Sequence, residues 1–145
     1  MRVPTDIHER VLDLTSDIVN SWHFDDTRAR WKLYEELRDY CESIAAAGRD
    51  HPFLWETLAD FTTDDRAAIG IYLRALPLAT AAGATAYEAS IYLALAERHS
   101  TLGEISVAYD YAIQANELAS HTDDLDLRRS VSQFLLDHSP AEPGN

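Results

Sequence analysis

The chain of 145 residues holds one cysteine, five glycines, five prolines and only 12 Lys and Arg against 25 Asp and Glu. Each scarcity excludes something. With Cys41 alone, neither an internal disulfide framework nor a thiolate metal cage can form, and the thiol reads as a buried spectator in a helix. Stability must then come from apolar burial, which suffices at this length because such a domain hides about two-thirds of its unfolded surface. The few Gly and Pro, set against 46% hydrophobic residues, exclude the disordered, collagen-like and transmembrane classes. The deficit of bases leaves a net charge of −13, the reverse of what a duplex nucleic acid or an anionic membrane selects, so neither is expected as a partner. The opening MRVPTDIHERVLDL has no apolar run of signal-peptide length, and a cytoplasmic protein is expected. Eleven Arg to one Lys, with abundant Ala, fit a bacterial genome rich in G and C.

No segment alternates apolar and polar residues long enough to nominate a strand, so the fold class is all-α. Ile7, Val11, Leu14, Ile18 and Trp22 recur at helical spacing and predict a helix over about 6–22, with Asp6 placed to cap it. Trp31, Tyr34, Leu37, Cys41 and Ile44 predict a second helix over about 27–47 that ends at Gly48. Asp50 and Pro52 open a short third helix with Leu54, Trp55, Leu58 and Ala59 inward. Asp64 or Asp65 starts a fourth, with Ala68, Ile69, Tyr72, Ala75, Leu76 and Ala79 inward and a kink or early end expected at Pro77. Thr85 with Glu88, and Thr101 with Glu104, have capping-box spacing ahead of the fifth and sixth helices. A seventh, over about 123–138, presents Leu127, Val131, Phe134 and Leu135 on one face. One domain is expected over 1–138, followed by a disordered tail over 139–145.

The helices pair into three hairpins, 6–47, 52–81 and 85–119, and the last two match in detail. Trp55, Leu58 and Ala59 answer to Tyr92, Leu95 and Ala96, while Ala68, Tyr72 and Ala75 answer to Ala108, Ala112 and Ala115. Over residues 51–119 this pattern, with the turn Leu102-Gly103-Glu104, resembles the tetratricopeptide repeat family. The hairpin of 6–47 fits only by length and phase, and the repeat spacing exceeds the family's usual ~34 residues. The resemblance implies a right-handed α-α superhelix of about three hairpins, closed by the last helix as a solvating cap.

Chemistry is sparse. The paired acids 25/26, 64/65 and 123/124 lie at helix starts, where carboxylates satisfy free amides. No two of the six histidines share ligand spacing on a helix, and no phosphate loop or nucleophile turn occurs, so neither an enzyme nor a cofactor or metal is expected. A repeat array acts through the face lined by the first helix of each hairpin, and the resemblance puts Phe53, Glu56, Asp60, Ser90, Leu93 and Glu97 there. These positions are acidic over an apolar floor and suit a basic partner. The expected role is a non-enzymatic protein-binding module, foremost an immunity or antitoxin protein that neutralises a basic toxin domain. The alternative is a secretion chaperone or scaffold holding an extended client segment. Trp22, Trp31 and Phe24 leave room for an anchored partner or a homodimer, although a Trp on an apolar stripe is more often core.

Overall fold

A computed structural model describes residues 2–139. Among these the chain is all-α: α1 (Thr5–His23), α2 (Thr27–Ala46), α3 (Pro52–Asp60), α4 (Asp65–Ala81), α5 (Thr85–Thr101), α6 (Ile105–Ala119) and α7 (Leu125–Asp137). No helix is long and apolar enough to cross a membrane. The tail expected over 139–145 lies, beyond Ser139, outside the described residues.

Each helix packs on the next, and the odd-numbered helices also meet one another. His8 stacks on Phe53 and Trp22 tilts against Phe61, both at 5.9 Å between ring centres, so the start of α1 meets the start of α3 and the end meets the end. Ser90 meets Glu56, and Arg98 reaches the Ala59 carbonyl, which sets α5 parallel to α3 in the same way. The odd helices therefore form one layer, and α2, α4 and α6 run back along it.

Apolar spacing explains what each helix buries. Ile7, Val11, Leu14 and Ile18 of α1 join Leu37 and Cys41 of α2, Leu54, Trp55 and Leu58 of α3, and Tyr72 of α4 in one core. A second core between α5, α6 and α7 is floored by Ala89, Ala96, Ala108, Ala112, Ala115 and Ala119, small residues that let α5 and α6 approach closely. Charged pairs tie successive hairpins: Arg74 with Glu42 at 3.0 Å, Arg98 with Asp65 at 3.0 Å, and Arg66 with Glu104 at 2.8 Å.

Asp26, Asp64 and Asp124 cap α2, α4 and α7, each accepting from the backbone amide three residues on. Elsewhere distant partners displace the expected caps. Asp6 leaves α1 uncapped and takes both guanidinium nitrogens of Arg49, at 2.8 and 2.9 Å. His51, not Asp50, caps α3: its Nδ1 accepts from the Phe53 amide, which places the ring proton on Nε2. Neither capping box forms. Thr85 is already inside α5 and Glu88 accepts from Thr80, while Glu104 turns to Arg66 and His99. Pro77 does not end α4, which continues to Ala81. Leu76 is only half-buried, and Trp22 and Trp31, expected inward, are 44% and 62% exposed. Ser21 is buried beside Trp22, its hydroxyl turned back to the Ile18 carbonyl.

Cys41 is fully buried, and its thiol donates to the Leu54 carbonyl. Burial pushes it up to about 12, so the group stays a thiol and packs as a small apolar residue.

Candidate functional site

The expected groove residues come from α3 and α5, which lie side by side. Phe53, Glu56 and Asp60 recur along α3 at spacings that keep them on one stripe, as do Ser90, Leu93 and Glu97 along α5. The structure brings the polar members together. Ser90 donates to Glu56 Oε1 at 2.7 Å, while Glu56 Oε2 is buried with no hydrogen-bond partner. Tyr72 donates its phenolic proton to Asp60.

These carboxyls form a row, Glu56, Asp60, Glu97, and each is held above its ordinary value. Burial is the main cause in all three. For Glu56, the Ser90 bond opposes it and the Asp60 charge adds to it, leaving the group at about 7. For Asp60, the Tyr72 bond and the Arg98 charge oppose burial. Glu97 feels Asp60 as a repelling neighbour and Arg98 as an attracting one. Glu56 is thus only partly ionised at neutral pH and stores unfavourable desolvation that a nearby cation would relieve, while Asp60 and Glu97, also raised, lie at the exposed surface of the row.

The apolar members sit differently. Phe53 is half-buried between the rings of His8 and His51. Leu93 is 8% exposed and belongs to the core shared with Val131 and Phe134, so α7 closes over it and it offers no open pocket. Beyond it, α5 and α7 flank an open cavity of about 680 Å³, lined by Glu97, Arg129, Gln133, Asp137 and His138 among others. The carboxyl row therefore opens at its Glu97 end into a polar recess.

The sequence reading did not single out Arg98, whose charge bears on both Asp60 and Glu97. Its Nη1 pairs with Asp65 and its Nη2 donates to the Ala59 carbonyl at 3.1 Å, linking α5 to both helices of the second hairpin. An Arg next to a groove Glu on α5 was the available signal. Replacing Arg98 by Ala should cost about 2 kcal/mol, because two charge-assisted contacts vanish in a mostly buried setting. Urea unfolding checks this; an Arg98→Ala protein as stable as the parent would show that the strut carries no weight.

Among the described residues no group of three or more His, Cys, Asp or Glu is placed to hold a metal ion. Compared with family models, with curated proteins and with solved structures, the chain finds no match.

Proposed function

We propose that the chain is a non-enzymatic, tetratricopeptide-like protein-binding module that captures a basic partner on its odd-helix face, in the manner of an immunity or antitoxin protein neutralising a cationic toxin domain. One observation carries the reading: Glu56 Oε2 is buried without a partner in a carboxyl row that continues through Asp60 and Glu97. A Lys or Arg docked over the exposed Asp60 and Glu97 carboxyls cancels the mutual repulsion, and its charge favours the ionised form of Glu56 beneath them. Charge of one sign over the whole chain, −13, adds long-range attraction that speeds encounter and fades as salt rises.

The row also predicts a signature of binding. A cation favours the ionised carboxyls, so capture at neutral pH expels protons, chiefly from Glu56. Calorimetry in two buffers of different ionisation enthalpy reads that release directly.

The test uses the chain as bait, then purified partner. The triple variant Glu56→Gln, Asp60→Asn, Glu97→Gln removes the charges while keeping an oxygen for Ser90 and Tyr72 to donate to. It should bind at least about tenfold more weakly, with loss of proton release and a flatter salt dependence. Unchanged affinity and salt dependence in that variant sink the reading. If a short unfolded fragment of the partner competes as well as the folded domain does, the secretion-chaperone reading replaces it.

A further inference from the structure

On the other side of α3, the first hairpin carries a second recess whose chemistry is the reverse of the carboxyl row. α2 has 20 residues and α3 only nine. At 1.5 Å per residue, α2 is about 30 Å long and α3 about 14 Å. The two run antiparallel, with Cys41 against Leu54 and Tyr34 against Thr62. The first turns of α2 therefore overhang the end of α3, and the stripe Thr27, Arg30, Trp31, Tyr34, Arg38 has no α3 helix beneath it. It faces Trp22 of α1 and the turn from Phe61 to Asp64 instead, across a cavity of about 420 Å³.

The walls are two aromatic pairs. Trp31 stacks on Tyr34 at 6.1 Å on one side, and Trp22 leans on Phe61 on the other. A relay fixes the floor: Thr62 gives its hydroxyl proton to the Leu58 carbonyl at 2.8 Å, so at the 2.7 Å contact Tyr34 is the donor to Thr62. Arg30 and Arg38 border the same space. Among the described residues Arg30 has no ion pair, and the nearest carboxylate to Arg38 is its neighbour Asp39, at 3.8 Å. Asp64, the one acidic residue of the lining, is engaged in capping α4. In a chain with twice as many acids as bases, two arginines without close partners beside two half-exposed tryptophans form a site complementary to an anion with a flat apolar body. The volume falls in the range of small-molecule pockets, about 300–1,000 Å³.

We infer that this recess binds a small organic anion, its aromatic or conjugated plane held between Trp31 and Trp22 and its negative group held by Arg30 and Arg38. Stacking on the rings supplies the apolar part of the affinity, and the guanidinium groups select for charge. The site is independent of the carboxyl row.

The test titrates the whole chain with 2-naphthoate, 2-naphthyl phosphate and the neutral 2-naphthamide, following tryptophan fluorescence and amide NMR shifts. We expect saturable binding of at least one anion, with shifts confined to Thr27, Trp31 and residues 61–64. The amide should bind at least about tenfold more weakly, and the preferred anion distinguishes carboxylate from phosphate recognition. Arg30→Gln with Arg38→Gln should erase the preference for charge, and Trp31→Ala should weaken all three probes. Both changes are at partly or largely exposed positions, and circular dichroism verifies that the fold is kept. Equal binding of amide and anions overturns the inference. So do shifts that map elsewhere, an acidic tryptophan-containing peptide that binds more than tenfold tighter than any of the three, or self-association that protects Trp31, which assigns the recess to a second copy of the chain.

Discussion

Trp55→Ala should destabilise the protein by about 4 kcal/mol, whereas Trp31→Ala should change it by less than about 0.5 kcal/mol. Trp55 is 1% exposed at the centre of the first core, and three elements converge on it. Its indole N–H donates to Asp50 Oδ1 at 2.5 Å, anchoring the link between α2 and α3. The Arg74 guanidinium lies 3.5 Å from its ring centre, held from above by Glu42 of α2. Removal leaves a cavity, strands the Arg74 charge over empty space and takes a donor from Asp50. Domains of this kind are stable by about 5–15 kcal/mol in all, so this is a large fraction. Urea unfolding followed by far-UV circular dichroism gives both numbers. Trp55→Phe separates the causes, since it keeps a ring under Arg74 and loses the donor, and about 1–2 kcal/mol is expected. A Trp31→Ala protein as weakened as Trp55→Ala would contradict the assignment of one Trp to the core and the other to the open recess.

That contrast marks where the sequence was legible. Helical periodicity found all seven helices, with the ends of α1, α2 and α7 within two residues, and it put Ile7, Val11, Leu14 and Ile18 on a stripe that is indeed buried. It missed that α4 runs through Pro77 to Ala81 and that α5 extends to Thr101, so α6 starts only at Ile105. The same periodicity placed Trp22 and Trp31 inward, because spacing says which side of a helix faces its neighbours and not whether a neighbour reaches that far. The shortness of α3 decides the matter, and it acts at a distance. A local signal did exist: Arg28, Arg30, Lys32 and Arg38 gather a third of the chain's bases into eleven residues, beside two tryptophans. Capping boxes failed for a related reason. Thr85 with Glu88 and Thr101 with Glu104 have the right spacing, but Thr80, Arg66 and His99 offer those carboxylates partners that local sequence does not display. In the carboxyl row, repeat phase placed Glu56 and Ser90 on neighbouring helices. The burial of Glu56 depends on Ser90 and on how closely α5 lies along α3, and a composition rich in acids does not report it.

The burial of Glu56 makes stability depend on pH in a direction unusual for a carboxyl. The group ionises at 4.5 in an unstructured setting and at about 7 in the folded chain, with desolvation the leading cause. Between those values the folded state holds a proton that the unfolded state has released, so stability falls as pH rises through the window. Below it both states are protonated and nothing is lost; above it both are ionised and the folded state carries the whole cost, about 3 kcal/mol. Asp60 and Glu97, also raised by burial, act in the same sense. Three groups oppose it. Burial lowers His51, which makes the fold gain stability as pH rises through the histidine range. Asp6, held low by Arg49, and Glu104, held low by Arg66 and His99, lose their contributions only in acid. The comparison that isolates Glu56 is therefore between the parent and Glu56→Gln, each unfolded in urea at a series of pH values from about 4.5 to 8. The variant keeps an acceptor for Ser90 but cannot ionise, so it should be of similar or lower stability at the acid end and overtake the parent near neutrality. A constant offset between the two curves would mean that Glu56 ionises as freely as a surface carboxyl. The row would then hold no stored desolvation for a cationic partner to relieve.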